Sequence, residues 1–150
     1  MKVSYDLTIE APIETVFAFI EEEDESKEWN PKLESVTNPE GFDPDHPVGT
    51  KFVQGVREGG AVDHSTGEVT AYDKPNRLSL RLHHYDYTVH MTYRLTRLNE
   101  NTRLDYESDL TSSNWFHSLM LPVIQAFNRR SIIRQLHQLR IAAEKTQEKS

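Results

Sequence analysis

The chain has 150 residues, 36% hydrophobic and 27% charged, with a formal net charge of −7 and no cysteine. That length suits one domain able to bury roughly 70% of its unfolded surface, and the missing thiols exclude disulfides and thiolate chemistry. The acidic balance excludes a general nucleic-acid binder, which needs a basic footprint, and no apolar run approaches the roughly 18 residues of a membrane span.

No repeat or low-complexity linker divides the chain. The opening "MKVSYDLTIEAP" lacks the basic-then-apolar pattern of a signal peptide, so a cytoplasmic location is expected. Within it, Val3, Tyr5, Leu7 and Ile9 alternate with polar residues, the period-2 pattern of a half-buried strand. Pro12 suits a first helical position, and Ile13, Val16, Phe17 and Ile20 share one helical stripe. The acidic run "EEEDESKEWNP" reads as a solvated helix end and turn, since contiguous carboxylates repel and diverge. Trp29 is the apolar exception there.

From Leu33 to Leu110 strands and turns dominate. "NPEGFDPDHPVG" is a Pro/Gly loop, and "TKFVQGVREGGAVDHSTGEVTAYD" reads as two strands joined near Glu58-Gly59-Gly60. After the turn "KPNR" come "LSLRLHH", "YTVHMTYRLTRL", a turn at Asn99-Glu100-Asn101, and "TRLDYESDL". Residues from about Ser113 to Lys145 read as one long helix, capped by Ser112 or Ser113, with a kink or break at Pro122. Its apolar side holds Phe116, Leu119, Met120, Val123, Phe127, Ile133, Leu136 and Leu139. At ~1.5 Å per residue such a helix spans roughly 45 Å, enough to cover one face of the sheet. A twisted sheet around one helix leaves a gap unless large side chains fill it.

The pieces "TIEAPIETVFAFI", "EWNP", "PVGTKF", "GEVTAYDKPNRLSLRL" and "LHQLRIAAEK" occur in this order along the chain. Together they resemble the helix-grip fold of the START and birch-pollen-allergen (Bet v 1-like, SRPBCC) superfamily, in its bacterial polyketide cyclase/dehydrase-like branch. The resemblance covers essentially all 150 residues and implies an α+β helix-grip domain. Such a domain is a curved antiparallel sheet of about seven strands around a long C-terminal helix, with two short helices after the first strand. It also implies a cavity. Members range from enzymes to carriers, so the reaction, if any, must be argued from the site.

"LRLHHYDYTVHMTYRL" holds three histidines. A turn at Tyr85-Asp86 sets His84 opposite Tyr87, Leu82 opposite Val89 and Leu80 opposite Met91, placing every apolar residue on one face; a slip by one wastes the pattern. His84 then faces inward while His83 and His90 face outward beside Arg81. Histidines split across two faces cannot share a metal, so no metal site is expected. His84 reads as a partly buried histidine, as a polar group orienting a ligand, or as an acid or base.

Ligand contacts are expected from Trp29, Phe52, Gln54, Leu80, His84, Tyr87, Met91 and Tyr106. Tyr93 and Ser108 share the inner face, and Trp115, Phe116, Met120 and Phe127 join from the helix. Tyrosine, methionine and histidine suit a ligand wall better than a dry core. Glu68 and His64 share a parity whose face is undecided. If that face is inward, Glu68 and His84 form the one plausible acid–base pair.

Three functions follow. The first is a carrier or sensor for a hydrophobic or aromatic small molecule. The second is a cyclase or dehydratase using His84. The third is a domain binding an Hsp90-type chaperone, a role found among relatives of the fold. No cofactor, nucleic acid or membrane insertion is expected, and the assembly is expected to be a monomer or homodimer. Arg129, Arg130, Arg134 and Arg140 read as the wet side of the last helix.

Overall fold

The computed structural model describes residues 2–38, 41, 43, 45–58, 60–84, 87–112 and 129–148. The elements are β1 (Lys2–Ile9), α1 (Ile13–Glu21), α2 (Glu23–Trp29), β2 (Leu33–Thr37), β3 (Lys51–Glu58), β4 (Ala61–Asp73), β5 (Arg77–His84), β6 (Tyr87–Leu98), β7 (Asn101–Ser112) and α3 (Arg129–Glu148). The strands form one antiparallel sheet in the order β1-β7-β6-β5-β4-β3-β2. This is the expected α+β helix-grip architecture, with seven strands and three described helices.

The two short helices plug one end of the concave face. Ile13, Val16, Phe17, Phe19 and Ile20 are buried on α1, somewhat more than the expected stripe because Phe19 also turns inward. Its last carbonyls do not go unpaired. Ser26 donates its hydroxyl to the Phe19 carbonyl at 3.0 Å, and the Trp29 indole donates to the same oxygen at 2.7 Å. α2 thereby caps α1, as helix-terminal carbonyls require.

On α3, Ile132, Leu136, Leu139 and Ala143 are buried, an i, i+4, i+7, i+11 stripe. The sequence pattern assigned Ile133 to that side. The structure puts Ile132 there and leaves Ile133 half-buried at the stripe's edge. The helix is tied to β1 by the Tyr5 hydroxyl, 3.0 Å from His137 Nε2, and to the residue just after it by the Glu10 backbone N–H, which donates to Glu144 at 2.8 Å. Trp115, Phe116, Met120, Pro122 and Phe127 lie outside the described residues.

The β5–β6 register is the one that alternation demands: His84 opposite Tyr87, Leu82 opposite Val89, Leu80 opposite Met91. β4 departs from simple alternation. Its pairing with β5 shifts between Val69 and Ala71, so Val69 and Tyr72 both face the concave side although their parities differ.

Candidate functional site: a cavity with polar groups at two ends

Between the sheet, α2 and α3 lies a cavity of about 1200 Å³, slightly larger than most small-molecule sites. Trp29, Phe52, Gln54 and Leu80 line it, as do His84, Tyr87, Met91 and Tyr106. All eight described residues expected to touch a ligand are therefore gathered around one space. Val69, Leu78, Leu82 and Val89 extend its apolar wall. α3 contributes Ile132 and Leu136 as well as the polar Arg134, Gln135 and Gln138. Arg134 thus stands at the cavity rather than only on the helix's wet side.

Phe52 is positioned by a glycine. It pairs across the strands with Gly67, and a Cβ built on that glycine falls 2.3 Å from the Phe52 ring. Only a residue without a side chain lets the ring lie flat on the sheet there.

Two clusters of hydrogen-bonding groups mark the ends. At one, His84 Nε2 lies 2.6 Å from Asp63 Oδ2, and the His84 ring meets Tyr87 edge-on at 5.3 Å between centroids. A carboxylate accepting from Nε2–H fixes the orientation of the imidazole ring. Asp63 was not singled out from sequence, yet its parity with Ser65 carries the signal: both line the cavity.

Glu68 is on the other face. It is opposite Arg81 in the ladder, its carboxylate 3.7 Å from that guanidinium, so the suggested Glu68–His84 pair does not form and Asp63 takes the acidic position. His64, of the same parity, is exposed. His83 and His90 also lie outward, with His83 Nδ1 3.0 Å from the Thr88 hydroxyl.

At the other end, Tyr72 donates its hydroxyl to Glu21, while its ring packs edge-on against Phe17. Lys74 Nζ sits 3.3 Å from the second Glu21 oxygen, within ion-pair range but off the line of a hydrogen bond. Burial, reinforced by Glu21, pushes the Tyr72 phenol well above the usual tyrosine range. Tyr93 and Tyr106 stack edge-to-face at 5.2 Å. Burial is also the main reason their phenols are raised; Tyr106 adds to the effect on Tyr93, and the Ser108 hydroxyl partly offsets it on Tyr106. These phenols are therefore neutral hydrogen-bonding groups in the cavity wall at physiological pH.

Among the described residues no group of three metal-ligating side chains occurs, and no helix is long and apolar enough to cross a membrane.

Three of the solved structures that share the architecture show the likeness. A START superfamily protein from Mycobacterium smegmatis is 16% identical with a TM-score of 0.69, over 99% of this chain and 97% of that one. The Zhui aromatase/cyclase from Streptomyces sp. R1128 is 16% identical with a TM-score of 0.73, over 97% and 94%. TTHA0849 from Thermus thermophilus is 17% identical with a TM-score of 0.71, over 97% and 99%. At these identities the likeness is one of fold. No curated protein matches the sequence. The family model described as polyketide cyclase / dehydrase and lipid transport matches residues 1–144, and this chain belongs to that family.

Proposed function

We propose that this protein binds a hydrophobic or aromatic small molecule inside the cavity, as a cytoplasmic carrier or sensor. One observation carries the reading: a space of about 1200 Å³ walled by Phe52, Leu80, Leu82, Val89 and Met91, with His84 and the tyrosines as its polar points. An apolar wall supplies affinity through burial, at about 25 cal/mol per Å² of surface removed from water. A few fixed polar groups supply orientation.

A second reading, a cyclase or dehydratase, is favoured by the Asp63–His84 contact. An imidazole oriented by a carboxylate is suited to move a proton beside a carbonyl. Holding a folded substrate in place would supply further rate. A chaperone-binding role draws less support. Among the described residues the exposed large hydrophobics, Val48, Val62, Leu98 and Ile141, lie on separate segments, whereas a docking patch is contiguous.

Titration with the neutral fluorophore N-phenylnaphthylamine tests the binding reading. The expected result is a saturable blue-shifted emission at one probe per chain, displaced by apolar molecules. Emission that never saturates, or that no apolar competitor displaces, would contradict it.

A further inference from the structure

The ladder register sorts the cavity wall into cross-strand rows. Tyr72, Leu78, Tyr93 and Tyr106 form one row. The next is Val69, Leu80 and Met91, followed by Phe52, Leu82 and Val89. The last holds Gln54 and Ser65, with His84 and Tyr87 on the neighbouring strands and Asp63 just beyond. The same cavity touches every one of these rows. Hydrogen-bonding side chains thus crowd the first and last rows; between them β4, β5 and β6 present apolar side chains, with single hydroxyls only at the flanks, Thr50 beside Val69 and Ser108 beside Met91.

Leu78 and His84 are six residues apart on β5, so at ~3.3 Å per residue the polar rows are roughly 20 Å apart. Tyr93 is only 8% exposed, and its hydroxyl makes no hydrogen bond among the described residues. A phenol that lines the cavity without a protein partner can take one from the ligand. Carboxylates stand near both polar rows, Glu21 behind Tyr72 and Asp63 behind His84. At the first row Lys74 offsets Glu21, so it is the neutral phenols that a ligand's oxygen meets there.

Resting on the ligand-binding reading above, we infer that the ligand is an elongated, mostly apolar molecule with an uncharged oxygen function, hydroxyl or carbonyl, at each end. One end meets the Tyr93–Tyr106 row and the other the His84–Tyr87 row. The apolar middle lies over Leu80, Leu82, Val89 and Met91.

Straight-chain α,ω-diols and the matching mono-alcohols, from octane to hexadecane, test this by displacement of N-phenylnaphthylamine. A short diol must leave its second hydroxyl unpaired among the apolar rows and should bind about tenfold or more weaker than its mono-alcohol. At the length that spans the rows the second hydroxyl finds a partner, and the diol-to-mono-alcohol affinity ratio should reach a maximum. Tyr93→Phe should lower that maximum by about three- to tenfold, the net worth of one hydrogen bond. A ratio that stays flat along the series, or a maximum equally high in the variant, would overturn the two-ended ligand while leaving the cavity reading intact. Failure of the fluorophore and every alcohol to bind would instead overturn the cavity reading on which it rests.

Discussion

Leu80→Glu is expected to weaken uptake of an apolar probe by about a hundredfold or more, with a modest loss of stability. Leu80 sits in the second of the four wall rows, opposite Val69 and Met91, half-buried and facing the open space rather than filling it. In the unliganded protein a carboxylate at this position stays hydrated by cavity water. An apolar ligand would have to strip that water from a charge with no partner nearby, a penalty of several kcal/mol, and every 1.4 kcal/mol is about tenfold in affinity. The folded protein loses only part of one leucine's burial, about 1–2 kcal/mol. Fluorophore titration beside a thermal melt separates the two quantities. Undiminished binding in a folded variant would show that the probe binds somewhere other than between the sheet and α3.

Phe17→Ala should have the opposite profile, a large loss of stability of about 3–5 kcal/mol. Phe17 is fully buried in the plug that α1 forms over the end of the sheet, and its ring packs edge-on against Tyr72. Removing the ring deletes its own burial and leaves a hole bounded by residues that cannot all relax into it. Tyr72 also loses the surface that aims its hydroxyl at Glu21. Urea unfolding measures the effect, and a loss below about 1 kcal/mol would mean that α1 packs less tightly than the account holds.

Much of this organisation was legible in the residues because strand alternation carries it. The β5–β6 hairpin is the clearest case: only one register puts Leu80, Leu82, Val89 and Met91 on a common face, and the structure adopts it. His84 follows from the same parity. Tyr72 shows where the rule ends. Strict alternation from Val69 places Tyr72 outward, and the pairing shift before Ala71 turns it in; a bulge leaves no reliable mark in a single sequence. Asp63 was missed for another reason. Its contact with His84 joins positions 21 residues apart on neighbouring strands, and with the face of β4 undecided, the sequence reading points to Glu68, of the opposite parity, as the one partner. The Glu21–Tyr72–Lys74 group is less legible still, since it depends on how α1 lies over the β4–β5 turn. On α3 the one-residue difference between Ile133 and Ile132 reflects the small angular margin that separates adjacent helical stripes.

The division of the concave face also explains how this fold keeps a cavity. Around Ile9, Leu104, Phe17 and Leu139 the side chains are fully buried, so stability is concentrated where α1 and α3 meet the sheet. Toward β3 to β5 the wall residues Phe52, Leu80 and Tyr72 are only partly buried and line the cavity. Burial in one half supports the fold while the other half lines the cavity.

Native mass spectrometry of the protein, incubated with a total organic extract of the cells that produce it, tests the central claim most directly. The account predicts a single adduct of one small molecule per chain, released by organic solvent as an apolar compound and absent from Leu80→Glu. A spectrum that shows only the bare chain after that exposure, or the same adduct on Leu80→Glu, would contradict it.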